Sequence, residues 1–136
     1  QAFETLRAAN DRAMAQSGPA EDRLRRMMRA YVEFGFDNPN AYRLVYMTRP
    51  AELREGPQSS ARELGTELFR SFERVVEELE AAGRLRVDAR TAAQALWAGG
   101  HGVVSLIISK PYFDWVDREA LTTAMMEGLL AGFLRP

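Results

Sequence analysis

The chain has 136 residues and a mass of 15.3 kDa, with 46% hydrophobic and 27% charged residues. That balance suits one soluble globular domain over residues 1–136, not a disordered chain. A formal net charge of −1 gives it no electrostatic claim on nucleic acid or an anionic membrane. The lack of cysteine excludes disulfides and thiolate metal sites, and a single histidine, His101, excludes a multi-histidine centre. No cofactor and no metal are expected.

Gln1 leads directly into "AFETLRAAN", which already reads as helix, without an initiator Met or the regions of a signal peptide. The chain therefore reads as part of a longer protein. The first helix is expected from Ala2 to about Gln16, ended by Ser17-Gly18-Pro19. Pro19 suits the first turn of the next helix, where Glu21 and Asp22 complement the dipole. Leu24, Met27, Met28, Tyr31, Phe34 and Gly35 form its apolar stripe, with Arg23, Arg25, Arg26 and Arg29 on the other side. "DNPN" stops it, and a short helix from Ala41 to about Thr48 carries Tyr42, Leu44, Val45, Tyr46 and Met47.

"RPAELREGPQSS" reads as one long polar loop, and Ser60 with Glu63 fits a capping box for the helix that follows. That helix carries Leu64, Leu68, Phe72, Val75, Val76 and Leu79 at helical spacing and ends at Gly83. Asp88 is a cap for the next helix, "KPYFD" breaks it, and Asp114 or Asp117 starts the last. No stretch alternates as a strand does. The expected fold is all-α, a bundle of about six helices.

The run Thr91–Ser109 is uncharged over 19 residues and holds "LWAGGHGVVSL". Gln94, three glycines, His101 and Ser105 make it too polar for a membrane span, so a buried helix is the reading and no membrane partner is expected. Ala92, Leu96, Gly99, Gly100, Val103, Leu106 and Ile107 share one face; Gln94, Trp97, His101, Val104, Ser105 and Ile108 share the other. A helix apolar on both faces must be covered on both sides. In the last helix Leu121, Met125, Gly128 and Gly132 form one stripe and Met126, Leu129 and Phe133 the next. Self-association about a two-fold axis would cover these surfaces, with small residues allowing close helix approach. The residues read into a dimer interface are Gly100, Val103, Ile107, Leu121, Met125, Gly128, Leu129 and Gly132. Tight packing within one subunit is the competing account of the glycines.

These stretches resemble a known family. "LWAGGHGVVSL" is similar to the Trp…His-Gly signature of TetR-like regulators whose C-terminal domain is named for Trp, His and Gly. "YVEFGFDNPNAYRLVYM" resembles the family's Asn-Pro break and Tyr-x-Leu helix, and "AAGRLRVDARTAAQALWA" its Gly-Arg-Leu turn. The matches fall in the family's order over about residues 30–107. The resemblance implies a cytoplasmic effector-binding and homodimerisation domain of a bacterial transcription regulator, without catalysis, whose last two helices form a four-helix interface with a second copy. It also implies that DNA is bound only by an N-terminal helix-turn-helix domain absent from these residues.

An enzyme based on His101 lacks a nucleophile at motif spacing and an acid to orient the ring. A helical protein-interaction module is the alternative reading. The rings of Tyr31, Phe34, Tyr42, Tyr46, Phe69, Phe72 and Trp97 suit an apolar pocket with a few polar handles, and Met27, Met28 and Met47 would make its walls adaptable. A small apolar effector is therefore expected against Tyr31, Phe34, Tyr42, Met47, Phe72, Trp97 and His101. The alternative, that the Trp97–His101 face locks the core while ligand sits elsewhere, stays open.

Overall fold

The computed structural model describes residues 2–48 and 57–136. Six α-helices are present among the described residues, in the order α1 (Ala2–Ala15), α2 (Ala20–Asp37), α3 (Pro39–Tyr42), α4 (Pro57–Ala81), α5 (Ala89–Ser109) and α6 (Arg118–Phe133). A π-helical turn, Arg43–Met47, follows α3 without a break. The fold is all-α. The only β-type pairing among the described residues is a single bridge between Leu85 and Leu134.

The helix ends follow from local chemistry. Gly18, at φ +131°, turns the chain between α1 and α2, and Pro19 stands at the N-cap of α2. Gly83, at φ +72°, closes α4: its N–H donates to the Glu80 carbonyl, and the Arg84 N–H donates to that of Leu79, both at 2.9 Å. That left-handed closure satisfies two terminal carbonyls and suits glycine. The Asp88 carboxylate caps α5 by accepting from the Thr91 N–H at 2.7 Å. Asp117, not Asp114, caps α6 through the Ala120 N–H at 3.1 Å. The capping box expected at Ser60 does not start a helix, because α4 already begins at Pro57. Proline at a first helical position loses no hydrogen bond, so Pro57 supplies the earlier start. Arg49–Gly56 of the expected loop lie outside the described residues.

Helix α2 is the central element, packed against α1, α4, α5 and α6. Leu24, Met27, Met28, Val32, Phe34 and Gly35 are buried along it. It meets α5 closely at Gly35, where an added Cβ would lie 2.4 Å from Val104 Cγ1. Only a residue without a side chain permits that crossing. The charged side of α2 is not simply solvated. Arg23 pairs with Glu78 of α4 at 2.7 Å and Arg25 with Glu127 of α6 at 2.8 Å, and Arg29 pairs with Glu119. Such partly exposed pairs contribute about 0–1 kcal/mol each; their main effect is to set the register of α2 on its neighbours.

The core has two lobes. One joins Leu24, Met27, Val76, Leu79, Leu96, Met126 and Leu130; the other joins Leu6, Val32, Phe34, Tyr42, Leu64, Val103, Val104 and Ile107. Fully burying one such aliphatic side chain contributes about 1.5–3 kcal/mol. At the far end the Arg86 N–H donates to the Phe133 carbonyl and the Arg135 N–H to that of Arg84, each at 2.8 Å. These bonds fasten the end of α6 to the α4–α5 turn.

Helix α5 is the one helix among the described residues long and apolar enough to cross a membrane. Its packing shows which face meets what. Ala92, Leu96, Gly100, Val103 and Ile107 are buried inside the subunit. Gly100, Val103 and Ile107, expected to meet a second copy, are among these buried residues. A Cβ on Gly100 would lie 3.4 Å from Tyr31, and one on Gly99 2.8 Å from Leu129 of α6. For Gly99, close packing on α6 within the subunit accounts for the missing side chain.

Candidate functional site

A cavity of about 60 Å³ lies between α1, α2, α4, α5 and the π-turn. Leu6, Ala9 and Asn10 of α1 close one side; Met27, Met28, Ala30 and Tyr31 of α2 form the floor. Tyr46 of the π-turn, Leu68, Phe69 and Phe72 of α4, and Leu96, Trp97 and Gly100 of α5 complete it. No lining residue carries a charge. The helical periods explain the convergence: Met27, Met28 and Tyr31 share one stripe of α2, as do Leu68, Phe69 and Phe72 of α4.

Polar side chains meet at one end in a continuous chain. The Trp97 indole N–H donates to the Tyr31 hydroxyl at 3.2 Å. The Tyr31 and Tyr42 hydroxyls are hydrogen-bonded to each other, and Tyr42 Oη lies 2.6 Å from His101 Nδ1. Rings pack around this line, with Tyr31 edge-on to Tyr42 at 5.6 Å and to Tyr46 at 5.1 Å. Phe69 lies 5.2 Å from Trp97. Burial pushes the Tyr31, Tyr42 and Tyr46 hydroxyls well above the usual phenol range, so all three stay neutral. Burial pushes the His101 imidazolium below its usual range, so His101 also favours its neutral form.

With His101 neutral and protonated on Nε2, every proton in the chain finds an acceptor. Trp97 donates to Tyr31, Tyr31 to Tyr42, and Tyr42 to the Nδ1 lone pair. In the reverse sense Tyr31 would accept twice and its own proton would have no partner in the chain. At the other end of the cavity, Asn10 Nδ2 donates to Ser71 Oγ at 3.1 Å and to Met14 Sδ at 3.5 Å. The Tyr46 hydroxyl has no hydrogen-bond partner among the described residues.

Of the residues expected around a ligand, Tyr31, Phe72 and Trp97 line the cavity. Tyr42 is fully buried behind Tyr31, and His101 lies behind Tyr42. Phe34 is buried in the second core lobe, with Met47 packed against it. Neither Phe34 nor Met47 lines the cavity. Trp97 is 40% exposed, forming a wall open to solvent on its outer side. Tyr46, Phe69, Met27 and Met28, read from the sequence as pocket rings and adaptable walls, line the cavity too; the α1 residues were not expected there, although Leu6, Ala9 and Ala13 share a helical stripe. Among the described residues, no group of three or more His, Asp or Glu is placed to hold a metal ion.

Of the residues expected to meet a second copy, Leu121, Met125 and Leu129 are partly buried on the cores. Gly128 and Gly132 face open space. The exposed side of α6 is Ala120, Ala124, Gly128, Ala131 and Gly132, and that of α5 includes Gln94, Ala98 and Leu106. Added Cβ atoms on Gly102, Gly128 and Gly132 would meet nothing within 4 Å.

A family profile described as "Tetracyclin repressor-like, C-terminal domain" matches residues 24–129. Among solved structures, "Structure of a protein with unknown function from Rhodococcus sp. RHA1" is similar at a TM-score of 0.79 and 25% identity. That similarity covers 98% of this chain and 70% of the other. No curated protein matches. The matched region begins within α2 and runs through most of α6, taking in the cavity walls of α2, the π-turn, α4 and α5; the chain belongs to the tetracycline repressor-like C-terminal domain family.

Proposed function

We propose that this chain is the effector-binding and dimerisation domain of a cytoplasmic TetR-like transcription regulator of the Trp-His-Gly type. In this reading a small, mainly apolar effector enters the cavity and shifts the relative placement of two copies. A helix-turn-helix domain outside these residues would then gain or lose its grip on DNA. The observation that carries the reading is the pairing of an uncharged, aromatic-walled cavity with small-residue faces on the two neighbouring helices. Gln94, Ala98, Gly102 and Leu106 repeat every fourth residue on α5, and Ala120, Ala124, Gly128 and Gly132 do so on α6. Four helices can approach closely across such faces, and a two-fold axis lets one patch cover itself. The interface is thus drawn through Gly102, Leu106, Gly128 and Gly132, with Leu121, Met125 and Leu129 at its margin.

Sedimentation at micromolar concentration tests the dimer, which should run at about twice 15.3 kDa; a strictly monomeric species removes it. A helical protein-interaction module is the second reading, favoured by the small cavity. Its 60 Å³ falls well short of the roughly 300–1,000 Å³ usual for drug-sized ligands. Occupation would require Met27 and Met28, unbranched and adaptable, to swing aside. Saturable binding of small apolar molecules that perturbs these methionines separates the first reading from the second.

A further inference from the structure

The cavity presents one hydrogen-bonding proton that the protein itself does not use. The lining residues with hydrogen-bond donors in their side chains are Trp97, Tyr31, Tyr46 and Asn10. The indole proton goes to Tyr31, and with His101 protonated on Nε2 the Tyr31 proton goes to Tyr42. Both Asn10 amide protons have acceptors, in Ser71 and Met14. The Tyr46 hydroxyl alone has no partner among the described residues, and it sits beside the Tyr31 ring at 5.1 Å. A hydroxyl without a protein partner is free to donate to a bound molecule. The π-turn that carries Tyr46 is an irregularity of the kind often found at functional sites.

On the reading of this cavity as an effector site, we propose that it selects a neutral, mainly apolar molecule bearing a hydrogen-bond acceptor of the ketone type, and that Tyr46 is its donor. A carboxylate is excluded by the uncharged lining, which offers no counter-ion. A pure hydrocarbon fits the walls and leaves Tyr46 unpaired. His101 acts at a distance as a positioning residue: by accepting from Tyr42 it holds the Tyr31 proton away from the cavity. The wall then offers a single free donor.

The test uses three probes of matched length: hexan-2-one, its isostere 2-methylhex-1-ene, and hexanoate. Binding is followed through the methyl NMR signals of Met27 and Met28, which line the cavity. Hexan-2-one should bind about two- to tenfold more tightly than the alkene, the worth of one net hydrogen bond, and hexanoate most weakly. Tyr46→Phe should bring the ketone to the alkene's level while leaving the alkene's affinity unchanged, which also reports an intact cavity. Equal affinities for ketone and alkene in the unmodified chain, or a preference that survives Tyr46→Phe, overturn the proposal and leave the cavity reading standing. Failure of every probe to shift the Met27 and Met28 signals overturns both.

Discussion

The Tyr42 hydroxyl lies 2.6 Å from Nδ1 of His101, and the two rings are stacked with centroids 5.7 Å apart. Tyr42 is fully buried, so its hydroxyl depends on two protein partners, Tyr31 and His101. Tyr42→Phe leaves the Tyr31 proton and the imidazole lone pair without their partner. It should lower stability by about 1–3 kcal/mol, the usual cost of unsatisfied buried groups. Tyr46→Phe removes a hydroxyl that has no partner and should be close to neutral. Urea unfolding of the two variants checks the contrast, and equal losses would mean that the chain does not stabilise the fold.

The same histidine sets a pH dependence. In the folded chain burial holds its ionisation below the usual value of 6.5. As pH falls below 6.5 the unfolded chain takes up a proton that the folded chain refuses, so stability is full above that pH. It declines as pH drops toward the folded value, then levels off. The lowered carboxylates Glu78 and Glu127, each paired with an arginine, act below their usual 4.5, a separate window. Unfolding free energies at pH 7.5 and 5.5 should therefore differ, and His101→Gln should flatten the difference. An unchanged slope in that variant would assign the effect to other groups.

Glycines give a packing prediction with opposite signs. A Cβ on Gly35 would sit 2.4 Å from Val104 Cγ1 and 3.0 Å from Tyr42 Cδ1, whereas one on Gly102 would meet nothing within 4 Å. Gly35→Ala should destabilise by about 1–3 kcal/mol through overpacking, and Val104→Ala in the same chain should recover part of the loss. Gly102→Ala should stabilise the isolated subunit by up to about 1 kcal/mol through helix propensity. Thermal unfolding of the three variants decides it, and a neutral Gly35→Ala would mean that the α2–α5 crossing is looser than drawn.

Much of this fold is legible in the sequence because its signals are local. Gly83, Asp88 and Asp117 end or cap helices through groups a few residues away, and the stripe from Leu24 to Gly35 reads directly as a buried face. The site is less legible for two reasons. Helix α5 is apolar nearly all round, and a helical wheel gives faces without naming neighbours. Gly100, Val103 and Ile107 therefore read equally well toward a second copy or toward the subunit's own core, where they are buried. The π-turn also shifts the phase of residues 43–47 relative to an α-helix. Tyr46 and Met47 both pack against the second core lobe, and of the two Tyr46 lines the cavity, a split that a regular period of 3.6 residues does not foretell.

Interface and core are separable by mutation. Gly128 and Gly132 face open space, so a leucine there should leave the subunit folded while pushing two copies apart, at about 1–3 kcal/mol of dimer stability. Leu96, only 1% exposed, should instead unfold the subunit when cut to alanine, at about 2–5 kcal/mol. Sedimentation alongside circular dichroism distinguishes the outcomes. Folded monomers from Gly128→Leu or Gly132→Leu would support the interface drawn here, and unaltered dimers would place it elsewhere.

Trp97 provides an optical readout of cavity occupation. Its ring borders the cavity, its indole N–H is held by Tyr31 at 3.2 Å, and its outer side is 40% exposed. Trp115, the second indole, bonds the Lys110 carbonyl at 2.9 Å in the α5–α6 connection, away from the cavity wall. In a Trp115→Phe background, titration with hexan-2-one should shift or quench the remaining emission in parallel with the Met27 and Met28 signals. Trp97→Ala removes a wall and releases the Tyr31 hydroxyl from one partner. It should weaken probe binding by more than its loss of stability explains, with Tyr31→Phe as the milder comparison. A Trp97→Ala variant that stays folded and binds the probe unchanged would show that the ligand is held against other walls.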